Sequence, residues 1–188
     1  RVIAVQTGWL GLEAQILDAP LVVAEGRKPP VQSFDAYAVT GYFAELLGSD
    51  EKAPTVKGWL VQSRAADPAN PFQLANELAA AELRDGSITG TADDTLTHLL
   101  TKVLPYHAAI AADRGLKLVM YEGGTHVVGL GTQIEDEELS TFFQQLNYSS
   151  EMGRLYTDLL AGWRTISDQP FNAFVDVYRP GKWGSWGA

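Results

Sequence analysis

The sequence contains no cysteine, few basic residues and no long apolar run, and each absence excludes a class of protein. Without cysteine the chain has no disulfide, no thiolate nucleophile and no cysteine-ligated zinc. Its 14 Lys and Arg stand against 23 Asp and Glu, a net charge of −9. Phosphate binding needs clustered cations, and a membrane helix needs roughly 18 consecutive apolar residues. The composition therefore predicts that neither nucleic acid nor a membrane is a partner.

The chain is long enough for one well-packed domain. Its 188 residues are 46% hydrophobic, which predicts a single domain over residues 1–188 that needs no disulfide or metal to stabilise it. The chain begins at Arg1 within an apolar run and without methionine, so we expect a fragment or a processed product. The acidic, cysteine-free composition suits a secreted or cell-surface carbohydrate-active protein and suits a cytosolic one equally, so the location stays open.

Short β-like runs alternate with longer helical patterns along the chain. The expected strands are residues 2–6, 34–42, 116–121 and 173–178. The expected helices are residues 10–17, 71–84, 93–114, 135–146 and 151–163. This alternation predicts an α/β fold with a parallel sheet. Strict alternation within the third strand predicts that Glu122 shares a face with Met120.

Each expected strand ends in residues able to contact a polyhydroxylated ligand, which predicts a site at the carboxyl edge of the sheet. These residues are Gln6, Tyr42, Glu122 and Tyr178. Glu122 is the sharpest candidate because Gly123-Gly124 lets the backbone turn closely behind it, which suits a rigidly held nucleophile. An ordinary solvent-exposed glutamate at a strand end is the structural alternative.

Aromatic residues and a histidine accompany this carboxylate. Tyr42, Tyr121, Trp183 and Trp186 could stack on the apolar faces of sugar rings. His126 could orient Glu122 or contact the ligand. Covering a hydrophobic edge is the alternative role for the tryptophans, and a structural loop residue is the alternative for His126. Neither a metal nor another cofactor is expected, because His98 and His107 lack the i, i+4 spacing of a zinc-binding helix.

Three segments resemble the carboxyl-terminal half of clan A glycoside hydrolases, the retaining (β/α)8 TIM-barrel glycosidases. VMYEGGTH resembles the seventh barrel strand with its nucleophile, FDAYAVTGYF the sixth strand, and FNAFVDVYRPGKWGSWGA the eighth strand and its loop; RVIAVQTGW would be the fifth. The resemblance implies a partial barrel of about four β/α units, strands five to eight, similar to bacterial relatives of cellulases.

The resemblance also implies roles for the candidate residues. Glu122 would be the nucleophile, Tyr42 would contact it, and Trp183, or else Trp186, would form the floor of the sugar site. The general acid/base of this clan follows an asparagine on an earlier strand, so it is expected in a missing amino-terminal half, and this chain alone is expected to be inactive. An Asn-Glu pair at Asn76-Glu77 is better explained as part of a helix surface.

The expected partners are a polysaccharide or oligosaccharide and either the missing half-barrel or a second copy of the chain. Two alternatives remain open. One is a glycan-binding or structural barrel module of a larger assembly without catalytic turnover. The other is an unrelated α/β enzyme whose ligand is not a sugar.

Overall fold

The computed structural model describes residues 1–186 and has a three-stranded parallel sheet at its centre. The strands are β1 (Val2–Ala4), β2 (Ala36–Phe43) and β3 (Lys117–Thr125), and they lie in the order β1-β2-β3. All carboxyl ends of the strands therefore meet at one edge of the sheet. The last two positions of the predicted domain, 187 and 188, lie outside the described residues.

Eight α-helical segments accompany the sheet within the described residues. They are α1 (Leu12–Leu17), α2 (Pro20–Ala24), α3 (Ala53–Ala66), α4 (Gln73–Asp85), α5 (Leu96–His98), α6 (Leu104–Asp113), α7 (Glu137–Asn147) and α8 (Ser150–Ile166). A π-helical turn at Leu99–Val103 joins α5 to α6, and 3₁₀ turns lie at Pro30–Ser33, Glu45–Gly48 and Gly131–Glu135. Side chains of Thr95, Asp136 and Ser149 accept hydrogen bonds from backbone N–H groups at the starts of α5, α7 and α8.

The core lies between one face of the sheet and the helices. Tyr37 and Val39 of β2 pair with Leu118 and Met120 of β3, and all four side chains are buried. Helix α6 contacts both strands, and Trp163 of α8 is part of the same core. On the sheet's other face, Val2 and Ala4 of β1 are exposed. Among the described residues, no helix is both long and apolar enough to cross a bilayer.

The predicted four-unit segment of a (β/α)8 barrel is wrong. The sheet in residues 1–186 has three strands, and β2 is separated from β3 by α3, α4 and the continuous helical stretch at 96–113 rather than by one helix. The expected fourth strand at 173–178 contributes only a single parallel bridge to β3, between Ala173 and Gly123. The chain is a mixed α/β structure with a small parallel sheet.

Side chains prevent a fourth strand because they already occupy the free edge of β3. The Thr125 N–H donates to the hydroxyl of Tyr156 at 3.2 Å, and the Thr125 carbonyl accepts from the indole of Trp186 at 2.7 Å. Earlier in β3, the amide of Asn172 donates to the Tyr121 carbonyl. Edge groups that are satisfied in this way cannot pair with another strand.

Candidate functional site

A β-bulge in β3 sets the direction of Glu122. Val39 pairs with Met120, and the next residue of β2, Thr40, pairs with Glu122, so Tyr121 is the extra residue. An extra residue interrupts the alternation of side chains along a strand. Glu122 therefore lies on the face of Thr40, away from the buried Met120, and the predicted shared face of Glu122 and Met120 is wrong.

Glu122 lies beside Tyr42 at the carboxyl end of the sheet. Tyr42 follows Thr40 by two residues, so both are on the face that carries Glu122. Burial raises the pKa of Tyr42, and the Glu122 carboxylate raises it further by its charge and by accepting a hydrogen bond from the hydroxyl. Tyr42 is thus a neutral hydrogen-bond donor. Glu122 is half-buried, which holds its carboxylate while leaving it open to a ligand.

A row of aromatic rings continues from Tyr42. The ring of His126 lies 5.7 Å from that of Tyr42, and Trp186 stacks on His126 with ring centroids 6.1 Å apart and planes 12° apart. Phe174 and Tyr178 pack edge-on against Trp186 at 5.1 and 5.4 Å. Because the Trp186 indole is also bonded to the Thr125 carbonyl of β3, the row is fixed to the sheet.

The remaining predicted site residues lie outside this row. Trp183 is 62% exposed, and the ammonium group of Lys182 lies 5.0 Å from the centre of its ring. Tyr121, the bulge residue, is also exposed at 40%. Gln6 is exposed, with its carbonyl accepting a turn hydrogen bond from the Trp9 N–H. Of the two tryptophans proposed from the sequence, the structure therefore brings Trp186, and not Trp183, to the Tyr42 row.

Thr7, the neighbour of Gln6, is the residue that the segment after β1 contributes to the interior of the strand-end region. Its hydroxyl oxygen accepts hydrogen bonds from the Thr40 backbone N–H at 2.7 Å and from the Thr40 hydroxyl at 2.9 Å. Thr7 is buried, whereas Gln6 is exposed. Side-chain alternation could have identified Thr7, because it shares the parity of the core residues Ile3 and Val5.

A cavity of about 290 Å³ opens beside Tyr42. Its polar lining is formed by Thr7, Thr40, Tyr42, Asp94, Thr95 and His98. Burial raises the pKa of Asp94 to about 6, although the backbone N–H of Leu46 opposes the shift by donating to its carboxylate. Asp94 lies within the helix expected at residues 93–114, and no local pattern indicates that it shares a cavity with Tyr42.

A second cavity, of about 420 Å³, lies at the other end of the aromatic row. Its lining includes Phe174 and Trp186 together with the polar side chains of Asn147, Tyr156 and Asp176. The Asn147 amide is already engaged, because its oxygen accepts from Thr125 and its nitrogen donates to the Phe143 carbonyl. The row from Tyr42 to Trp186 therefore connects two cavities, each with aromatic and polar walls.

His107 of α6 contacts both β2 and the segment after β1, and it is fully buried. Its Nε2 lies 2.8 Å from the Thr7 carbonyl oxygen, which can only accept, so Nε2 carries the proton. Its Nδ1 then accepts from the Tyr37 hydroxyl at 2.7 Å. Burial lowers the pKa of His107, against the opposing effects of the Thr7 carbonyl and the charge of Glu13. The neutral imidazole joins the end of β1 to β2.

We expect His107 to destabilise the fold as the pH falls below about 6.5, the ordinary pKa of histidine. Because the pKa of His107 is lowered in the folded state, the unfolded chain binds the proton first as the pH falls. The free energy of unfolding then decreases by up to about 1.4 kcal/mol per pH unit. The raised pKa of Asp94 acts in the opposite direction below about 6. The measurement is therefore the difference in unfolding free energy between the unaltered chain and His107→Gln, from urea titrations across this pH range. It should shrink as the pH falls, and a constant difference would contradict the prediction.

No protein-family model, curated protein or solved structure matches the chain. Within residues 1–186, no group of three or more His, Asp and Glu side chains is arranged to hold a metal ion. The function is therefore inferred from the chemistry of the strand-end side chains.

Proposed function

We propose that the chain binds a glycan at the carboxyl edge of its sheet and that Glu122 is the nucleophile of a retaining glycosidase. The pairing of the half-buried Glu122 carboxylate with the Tyr42 hydroxyl carries the proposal. In retaining hydrolysis a carboxylate attacks the anomeric carbon and forms a glycosyl ester, while an acid protonates the departing oxygen. A tyrosine that donates to this carboxylate fixes its position.

The surroundings of Glu122 suit a sugar ligand. Sugar rings present apolar C–H faces that stack on aromatic planes and hydroxyl groups that bond to polar side chains. The row of Tyr42, His126 and Trp186 offers the planes, and the cavities at its two ends offer hydroxyl and carboxylate groups. The resemblance of VMYEGGTH to a nucleophile-bearing strand of glycosidases supports the same assignment.

Covalent trapping tests this proposal directly. The full chain is incubated with a panel of 2-deoxy-2-fluoroglycosyl fluorides, in which the anomeric fluoride leaves as a Glu122 oxygen forms an ester to the anomeric carbon. We expect a mass increase of one glycosyl group, located by peptide mapping on the segment that contains Glu122. An adduct on another carboxylate would contradict the nucleophile assignment. Failure to hydrolyse any member of a broad glycan panel would contradict the enzymatic function.

Glycan binding without turnover is the second candidate, and the exposed aromatic residues favour it. Trp183 and Tyr121 present their rings to solvent, as surfaces that hold sugar chains do. Calorimetry with the same glycan panel separates the two candidates. Binding of a glycan without formation of product would support the binding function and contradict the enzymatic one. Loss of that binding in Trp183→Ala, with Glu122→Gln unaffected, is the result expected of a binding surface.

Tyr42→Phe should lower kcat/KM by about tenfold to a hundredfold, because it removes one hydrogen bond to a charged group, about 1.5–3 kcal/mol. The phenyl ring preserves the contact with His126, so the fold should be retained. Steady-state kinetics on the glycan that the protein hydrolyses provide the measurement. Tyr148→Phe is the matched control, since Tyr148 is an exposed tyrosine at the end of α7 and should leave kcat/KM unchanged. Equal kinetics for Tyr42→Phe and the unaltered chain would contradict a role for the Tyr42 hydroxyl.

A further inference from the structure

Asp94 is fixed to the loop that follows Tyr42 by two hydrogen bonds. Its carbonyl accepts from the Ala44 N–H at 3.0 Å, and its Oδ2 accepts from the Leu46 N–H at 2.6 Å. Asp94 also has a left-handed backbone conformation, with φ of 62°, which aspartate tolerates better than most residues. The residue is thus held in place by two backbone contacts, one of them at its carboxylate.

Tyr42 connects the cavity that Asp94 lines to Glu122. Tyr42 contributes to the cavity, and its hydroxyl bonds to Glu122. The hydrogen bond from Leu46 occupies Oδ2 of Asp94 and leaves Oδ1 available to a ligand in the cavity. Glu122 is therefore linked to Tyr42 by a hydrogen bond, and Asp94 lines the same cavity as Tyr42.

The two carboxyl groups have different surroundings. Asp94 is half-buried, and burial raises its pKa to about 6. The charge of Glu45 in the neighbouring 3₁₀ turn raises the pKa further, and Lys52 ahead of α3 lowers it; Asp93 and His98 flank Asp94 on its own segment. Glu122 instead is half-buried and accepts the hydrogen bond of Tyr42. A protonated acid beside an ionised carboxylate is the pairing that glycoside cleavage requires.

We infer that Asp94 is the proton donor that acts with Glu122. This assignment depends on the proposed glycosidase function. As Glu122 forms an ester to the anomeric carbon, the proton of Asp94 passes to the glycosidic oxygen and the C–O bond to the leaving group breaks. The Asp94 carboxylate then takes a proton from the water that attacks the ester, which releases the sugar and restores both groups. The proton donor then lies within this chain and not in a missing amino-terminal half.

A purely structural role for Asp94, as the anchor of the 3₁₀ turn at Glu45–Gly48, predicts different kinetics. Loss of an anchor would lower stability and reduce the turnover of every substrate alike. Loss of a proton donor affects substrates according to their leaving groups, because a good leaving group departs without protonation. The two roles are therefore separable by the choice of substrate.

The test compares Asp94→Asn with the unaltered full chain on two substrates, a natural glycan and the 2,4-dinitrophenyl glycoside of the same sugar. We expect kcat/KM for the glycan to fall by about 10²- to 10⁴-fold, and that for the dinitrophenyl glycoside by less than about tenfold. The descending limb of the pH profile near 6 should disappear in Asp94→Asn. Asp113→Asn, a change of an exposed carboxylate at the end of α6, is the control and should behave as the unaltered chain.

Each other outcome overturns the inference. Equal losses on both substrates with a lower melting temperature would assign Asp94 a structural role only. If Asp94→Asn does not fold, the pH profile of the unaltered chain decides, because an activity that does not decline above about pH 6 contradicts a donor with this pKa. If the unaltered chain hydrolyses the glycan and is labelled on Glu122 while Asp94→Asn is equally active, only this inference fails. If the unaltered chain hydrolyses neither substrate, the proposed function fails as well.

Discussion

Glu122→Gln is expected to lower kcat/KM for glycoside hydrolysis by at least about 10³-fold. The amide of glutamine has nearly the shape of the carboxylate, and its oxygen can still accept the hydrogen bond of Tyr42. It carries no negative charge and is a poor nucleophile, so no glycosyl ester forms. The measurement is kcat/KM of the full chain on the glycan that the unaltered protein hydrolyses, with circular dichroism to establish that the fold is retained.

Glu77→Gln provides the matched control for Glu122→Gln. Glu77 follows Asn76, so the chain contains an Asn-Glu pair, but Glu77 lies on the exposed side of α4 and accepts a local hydrogen bond from Gln73 at 2.7 Å. Its substitution should leave hydrolysis unchanged. Unaltered hydrolysis by Glu122→Gln, or an equal loss in Glu77→Gln, would contradict the nucleophile assignment.

A second measurement uses Glu122→Ala with sodium azide. The shortened side chain leaves room for azide to attack the anomeric carbon in place of the carboxylate. The expected product is a glycosyl azide with an inverted configuration, formed at a rate well above hydrolysis by the same variant. Nuclear magnetic resonance of the product distinguishes it from the hydrolysis product of retained configuration. Rescue by azide would not occur if Glu122 only stabilised the fold.

Three of the four predicted strands are present, because each is a short apolar run whose alternating side chains enter the core. They correspond to Val2–Ala4, Ala36–Phe43 and Lys117–Thr125. The fourth segment has the same local pattern, but a strand also needs a partner edge. Hydrogen bonds from Asn172 and Trp186 to the edge of β3 are long-range contacts that no local pattern indicates. The barrel prediction failed at this point.

Helix α3 was missed for a related reason. Its sequence contains Pro54 and Gly58, which weaken a helical pattern in isolation. Pro54 lies in the first turn, where its missing N–H is no loss, and the buried Val56, Trp59 and Leu60 stabilise the helix by packing. Tertiary contacts here outweigh intrinsic propensity.

The candidate site was predictable where the strand carries the side chain. Tyr42 and Glu122 lie near the carboxyl ends of their strands, and parallel strands bring these ends together. Two features depend on distant contacts instead. The bulge at Tyr121 changes which face Glu122 occupies. Hydrogen bonds to Ala44 and Leu46, about 50 positions earlier in the chain, hold Asp94 at the loop that follows Tyr42. Neither contact has a local signature.

Gly48→Ala is expected to have the largest effect on stability, a loss of more than about 3 kcal/mol. A β-carbon at Gly48 would lie 1.6 Å from the carbonyl oxygen of Val128 and 2.6 Å from its carbonyl carbon. Both are backbone atoms of the segment after β3, and the Leu130 N–H donates to the Gly48 carbonyl at 2.8 Å in the same contact. The two loops would have to separate. In a chain of this length the melting temperature should fall by at least about 6 °C.

Gly58→Ala adds the same methyl group where the structure leaves room, and it is the control for Gly48→Ala. Gly58 lies within α3, and no atom outside its own helix lies within 4 Å of the added carbon. Alanine stabilises a helix interior by about 0.5–1 kcal/mol relative to glycine, so the melting temperature should rise slightly. Opposite signs for the two variants would locate the destabilisation in the contact between the loops. A loss below about 1 kcal/mol for Gly48→Ala would show that the loops after β2 and β3, which also position Asp94 and His126, can separate at little cost.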